Sequence, residues 1–87
     1  MTTAPLDGNA AAGALTDVFA FDVSMATATC VRCGDARSVA ELHAYMRAPG
    51  TVLRCATCEN VLLRLVRSGD RAWVDLTGIR VMQIPMS

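Results

Sequence analysis

The sequence predicts a small, mostly β fold of antiparallel hairpins, led by a short N-terminal α-helix and stapled by a four-cysteine metal site. Three observations carry that expectation. Two Cys-x-x-Cys pairs, Cys30/Cys33 and Cys55/Cys58, flank a segment that reads as strand, turn and strand. Runs of β-branched or alternating apolar residues fill most of the chain beyond residue 23. Only the stretch before it shows helical spacing.

Residues 1–8, with Pro5 and Gly8, read as a flexible tail. A helix is expected over 9–22. Asp7 or Asn9 can cap its orphan N–H groups. Ala11, Leu15, Val18 and Phe19 fall at i, i+4, i+7 and i+8, forming one apolar stripe. Gly13 inside the stripe weakens the helix by about 1 kcal/mol relative to alanine. The stripe is expected to pack on the chain's own sheet, with docking to a partner as the alternative.

Residues 23–87 are expected to form the β domain. "VSMATAT" leads into Cys30. "SVAELHAYM" alternates, with Ala40, Leu42, Ala44 and Met46 on one face and Val39, Glu41, His43 and Tyr45 on the other. "APG" at 48–50 supplies a turn, and "TVLR" runs into Cys55. "NVLLRLVR" is apolar on both faces except for Arg64, which predicts a strand covered on both sides. "SGDR" turns the chain into "AWVDL", and "GIRVMQI" is the last strand. Five or six antiparallel strands should follow the helix.

A chain of 87 residues is one domain that buries about 60–65% of its unfolded surface. Domains of that size often need a staple. A hydrophobic content of 53% excludes disorder through lack of apolar residues, and leaves apolar surface for a partner. Formal net charge is zero, and every basic residue is Arg. Residues 1–43 set Arg32 and Arg37 against five acids, a balance of −3. Residues 44–87 set six Arg against Glu59, Asp70 and Asp75, a balance of +3. With no Lys and no dense basic run, solvated edges explain this better than a nucleic-acid face. The N-terminus lacks the positive region of a signal peptide, and no stretch approaches the ~20 apolar residues of a membrane span. A soluble cytoplasmic protein with reduced thiols is expected.

Two residues between paired cysteines let the backbone bend until both sulfurs converge on one ion about 2.3 Å away. The spacer 34–54 slightly exceeds the usual 15–20 residues or so, and a hairpin within it explains the excess. Gly34 suits the positive φ of a tight knuckle. Glu59 holds the matching place in the second pair, which predicts a looser knuckle there. One structural Zn²⁺ per chain on Cys30, Cys33, Cys55 and Cys58 is the first reading. Four thiolates leave that site at −2, so Arg32 and Arg54, each beside a ligand, either offset the charge and donate to sulfur or face solvent.

Other uses of four cysteines are less well supported. Disulfides want an export signal, and a thioredoxin-like dithiol wants a βαβ context. Iron in the same tetrahedron, rubredoxin-style, stays open, though aromatics at 5% and the missing second glycine count against it. A closed four-cysteine site leaves no position for water or substrate, which makes it structural. No catalytic set accompanies it. His43 reads as a half-exposed strand residue, and the acids are scattered. No glycine-rich phosphate loop is present. Trp73 and Tyr45 read as core or strand-face aromatics, and the methionines as gap-fillers. Neither an enzyme nor a small-molecule substrate is expected.

Cys30, Cys33-Gly34, Cys55 and Cys58 between hairpins resemble a zinc ribbon over residues 23–67. That resemblance implies a docking module for nucleic acid or protein. "LDGNAAAG", "CVRCG", "PGTVLRCATC" and "VDLTG" resemble, over nearly the whole chain, a family of small bacterial zinc-ribbon proteins without an established activity. The leading functional expectation is a non-enzymatic protein-interaction module or accessory subunit, working as a homodimer or on a protein partner. The alternative is a nucleic-acid-binding ribbon using Arg54, Arg64, Arg67, Arg71 and Arg80. Alternation puts Arg67 opposite Arg64, so these side chains are not expected to form one patch. An iron electron carrier stands third.

Overall fold

Residues 6–47 and 50–86 are described by the computed structural model. The first five residues of the expected tail, and Ala48 and Pro49 of the expected turn, lie outside them. The chain opens with β1 (Leu6–Asp7), a 3-10 turn over Gly8–Ala11 and α1 (Ala12–Thr16). A second 3-10 turn, Val23–Met25, leads to β2 (Thr27–Cys30) and β3 (Ala36–Ser38). A third, Val39–Glu41, precedes β4 (His43–Arg47). Then come β5 (Gly50–Arg54), β6 (Val61–Ser68), β7 (Arg71–Asp75) and β8 (Ile79–Gln83). Every strand pair is antiparallel, in a five-stranded sheet β1-β4-β5-β6-β7 and a three-stranded sheet β3-β2-β8. The fold class is the expected one, mostly antiparallel β with one short N-terminal helix and a four-cysteine cluster. Seven strands follow the helix where five or six were expected, because the segments around the first Cys-x-x-Cys pair separate into β2 and β3 and the 3-10 turn at Val39–Glu41 divides β3 from β4.

The helix is shorter than the 9–22 expected. Only Ala12–Thr16 is α-helical, and neither Asp7 nor Asn9 caps an N–H with its side chain. An uncapped helix containing Gly13 gains too little per turn to offset its nucleation cost. Thr16 also donates its hydroxyl to the Ala12 carbonyl at 2.7 Å, a bond that competes with helix continuation. The apolar stripe survives this shortening. Ala11 and Leu15 are buried, and Val18 and Phe19 pack against the core from the loop beyond.

The run expected as one strand through 38–46 is broken. The Ser38 hydroxyl accepts from Ala40 N–H at 3.2 Å and donates to the Ser24 carbonyl at 3.0 Å. That local cap folds Val39–Glu41 into a 3-10 turn, as serine side chains do when they compete with a ladder. Val39 and Leu42 are both buried as a result, on opposite sides of the alternation expected for a strand.

The expectation of a strand covered on both sides holds only at the start of β6. Leu53 opposes Leu63 while Arg54 opposes Val61, so Leu62 is an extra residue in the ladder. The bulge turns its side chain inward, and Leu62 joins Leu63 and Leu65 in the core. Arg64 and Val66, on the other face, are exposed. One apolar cluster draws Leu15, Val23, Ala28, Val39, Ala44, Leu53, Leu62, Leu63 and Leu65 together from both sheets and the N-terminal turns. Gly78 completes its closure, because a Cβ there would sit 1.8 Å from the Val61 carbonyl oxygen.

Candidate metal centre

Each Cys-x-x-Cys is the turn of a hairpin. Cys30–Cys33 links β2 to β3, and Cys55–Cys58 links β5 to β6, so the two knuckles belong to different sheets. Their backbones make the same bonds. Gly34 N–H donates to the Cys30 carbonyl at 3.0 Å, and Cys30 N–H to the Asp35 carbonyl at 2.9 Å. In the second knuckle Glu59 N–H donates to the Cys55 carbonyl at 3.0 Å, and Cys55 N–H to the Asn60 carbonyl at 2.8 Å.

The second knuckle is therefore not looser, contrary to expectation. Glu59 adopts φ 64°, beside 79° at Gly34, although a left-handed residue with a Cβ costs roughly 1–2 kcal/mol. Its surroundings hold it there. The Glu59 carboxylate accepts from the Tyr45 hydroxyl at 2.8 Å and meets His43 Nδ1 at 2.5 Å. Arg54 donates to the Glu59 carbonyl at 3.0 Å while lying 5.6 Å over the Tyr45 ring. The Tyr45 hydroxyl, followed by His43, keeps the Glu59 carboxyl below its ordinary pKa.

The four sulfurs lie within 4.8 Å of one another. Cys30 and Cys58 Sγ are 3.6 Å apart, as are Cys33 and Cys55 Sγ, so each close contact crosses between knuckles. A tetrahedron with 2.3 Å metal–sulfur bonds has edges of about 3.8 Å, and a disulfide needs about 2.05 Å. All four thiols are free. The donor set fits one metal ion held by Cys30, Cys33, Cys55 and Cys58. Cys30 and Cys55 are buried, Cys58 is partly buried and Cys33 is exposed.

Polar groups around the sulfurs hold the knuckles together. Asp35 N–H donates to Cys33 Sγ at 3.5 Å, Thr57 N–H to Cys55 Sγ at 3.4 Å and Asn60 Nδ2 to Cys30 Sγ at 3.8 Å. Asp35 Oδ2 accepts from Arg37 Nε at 2.7 Å and from Thr57 Oγ1 at 3.0 Å, tying the first knuckle to the second. Arg37, then Thr57, hold the Asp35 carboxyl below its usual range. Arg32 is exposed and Arg54 is engaged with Glu59 and Tyr45, so the side chain that reaches sulfur is Asn60. A sequence signal for this existed. Asp35 and Asn60 both stand two residues after the second cysteine of their pair.

Without metal the thiols do not ionise together. Burial raises the Cys30 pKa, but the Cys33 and Arg32 N–H groups and the Cys58 thiol outweigh it and bring it down to about 6. At Cys33 the Asp35 N–H lowers the pKa, while burial and the neighbouring sulfurs push it up to about 12. Cys58 is also raised, the Asn60 N–H being outweighed by burial and Cys30. At pH 7 at least Cys33 and Cys58 carry protons that a metal must displace. Protons favour the metal-free state, so metal affinity should fall by about 100-fold or more per unit of pH lost below 7, and more steeply below 6 as Cys30 protonates. Competition titrations with a chelating indicator from pH 7.5 to 5.5 check this. A flat profile would contradict the ligand assignment.

A model of a family of unknown function, DUF6510, matches residues 1–87. The chain belongs to that family. No curated protein and no solved structure matches it. Among the described residues of this DUF6510 chain, no helix is long and apolar enough to cross a membrane.

The arginines of this DUF6510 chain are placed differently from the expectation. Partners in an antiparallel ladder share a face, and the register puts Tyr45, Val52, Arg64 and Asp75 in one row across β4 to β7. Arg47, Gly50, Val66 and Trp73 form the next row, His43 and Arg54 lie on one side, and Ser68 and Arg71 on the other. Arg54, Arg64 and Arg71 thus share one face with Arg47, which the sequence reading did not include. Arg67 is opposite, as expected, and pairs with Asp17 at 3.0 Å. Arg80 belongs to the other sheet. Tyr45 and Trp73 are strand-face aromatics on that same outer surface, Trp73 being 56% exposed. His43 is a partly exposed strand residue bonded to Glu59. A cleft of about 290 Å³ at the β6–β7 turn is lined by Asp17, Val18, Arg67, Gly69, Asp70, Arg71 and Ala72, and none of these is a cysteine ligand.

Proposed function

We propose that the protein is a zinc-ribbon-like, non-enzymatic interaction module in which one structural Zn²⁺ fixes two hairpins so that a sheet face can dock a macromolecular partner. The observation that supports it best is the closed set of four sulfurs. With every ligand position filled by protein, the metal has no site for water or substrate, and its work is to hold the fold. A cytoplasmic setting, where thiols stay reduced, suits such a site.

Elemental analysis of protein purified from its native host tests the metal. One zinc per chain and a colourless protein are expected. Iron with visible thiolate-to-metal absorption would replace this reading with an electron carrier. Cobalt substitution tests the closed site, and should give the spectrum of four thiolates. Loss of one thiolate contribution, with an exchangeable water in its place, would make the centre catalytic in character and overturn the module.

A further inference from the structure

We propose that the outer face of the five-stranded sheet binds single-stranded nucleic acid, with Trp73 as a base-stacking platform and Arg47, Arg64 and Arg71 holding phosphates. This rests on the reading of the chain as an interaction module and names its partner. The face is a shallow lattice set by strand register. Val66 lies directly beside Trp73, and Gly50 beside Val66, so bare backbone separates Val66 from Arg47. Strands about 4.8 Å apart put Arg47 and Trp73 about 14 Å from each other. A sheet of that width offers room for two or three bases.

The chemistry of the face selects the partner. Arg47, Arg64 and Arg71 surround Trp73, Val66 and Val52 and are all exposed. Guanidinium groups interleaved with apolar side chains need acceptors on whatever covers them, because burying them unpaired strands their donors. They suit a partner that is anionic along its backbone and carries planar apolar groups. Three acids share the face with Arg47, Arg54, Arg64 and Arg71. Asp7 and Glu59 sit at the His43 corner, and Glu59 is already bonded to His43 and Tyr45. Asp75 opposes Arg64 and accepts from Thr77 at 2.7 and 2.9 Å. A duplex keeps its bases stacked on one another and cannot use Trp73, so unpaired bases are specified.

The test uses the full, metal-loaded chain with labelled single strands of about 12 nucleotides, as RNA and as DNA. The same length of duplex and a poly-glutamate chain serve as comparators. Single strands should bind more tightly than duplex and quench the fluorescence of Trp73, the chain's one tryptophan. Three phosphate contacts predict a log–log salt slope of about −2. Trp73→Ala should weaken binding roughly 5- to 100-fold. Arg64→Ala and Arg71→Ala should each reduce the slope by about 0.7, while Arg80→Ala changes nothing. Tighter binding of either RNA or DNA supports the proposal, a preference for RNA marking 2′-hydroxyl contacts.

Equal binding of duplex with no effect of Trp73→Ala would overturn it, leaving phosphate attraction alone. Poly-glutamate binding in place of single strands would overturn it in favour of an acidic protein. The cobalt spectrum of the same preparation separates the two failures. Four thiolates with no single-strand binding sink this inference alone, whereas a lost thiolate removes the module reading beneath it.

Discussion

Cys33→Ser, or strong chelation of the unmodified chain, should abolish the cooperative fold. Structural zinc supplies apparent binding free energies of about 10–16 kcal/mol, and a whole domain is stable by only about 5–15 kcal/mol. In this chain the ion would connect a knuckle of the three-stranded sheet to a knuckle of the five-stranded sheet, so its loss separates the layers rather than fraying one turn. Cys33 is the informative position because it is exposed. Serine there leaves no cavity, and any collapse reports the lost ligand. Arg32→Ala, one residue away and also exposed, should leave the fold intact. Thermal unfolding by circular dichroism, with and without metal, is the measurement. A cooperative transition at an unchanged temperature after complete metal removal would mean that the apolar cluster alone suffices.

Gly78→Ala should destabilise the metal-loaded protein by about 3 kcal/mol or more, at the upper end of overpacking costs. Its Cβ would lie 1.8 Å from the Val61 carbonyl oxygen and 2.7 Å from the Leu62 Cα. Both are backbone atoms at the start of β6, where the Leu62 bulge joins the core, and neither can move without opening the ladder to Arg54. Gly13→Ala is the counterpart. Nothing lies within 4 Å of its Cβ position, and alanine inside α1 should stabilise by about 0.5–1 kcal/mol. Urea midpoints at saturating metal check both. A wild-type midpoint for Gly78→Ala would mean that the loop before β8 does not press on β6.

What the sequence disclosed and what it concealed divide along a physical line. The convergence of the four cysteines was legible because a Cys-x-x-Cys turn imposes its own geometry within four residues. The strands on either side of residues 48–49 were legible for the same local reason, and β4 and β5 do pair antiparallel. Concealment came wherever a distant group decided the outcome. Glu59 looked like a departure from the knuckle pattern, yet His43, Tyr45 and Arg54, brought in by β4 and β5, hold it at positive φ. Val39–Glu41 looked like strand because the Ser38 cap on Ala40, though local, is oriented by the carbonyl of Ser24, which is remote in sequence. The arginine face was hidden because simple alternation says nothing about which strand lies beside which. Only the register places Arg47, Arg64 and Arg71 around Trp73.

The placement of the two knuckles at the tips of separate hairpins also bears on the order of assembly. Cys30 and Cys33 are neighbours along the chain, as are Cys55 and Cys58, so either pair can form a two-sulfur chelate while the rest is unfolded. Hairpins of this kind form in about 1–10 μs, long before two sheets find each other. An ion held by one pair would tether the chain and raise the local concentration of the second pair, and ring closure from Cys30 to Cys58 grows only slowly more costly with loop length. A metal taken up by this cluster would thus be captured early and fully coordinated late, with docking of the sheets as the slow step. Stopped-flow folding started by metal addition should accordingly show a fast metal-dependent phase ahead of core burial.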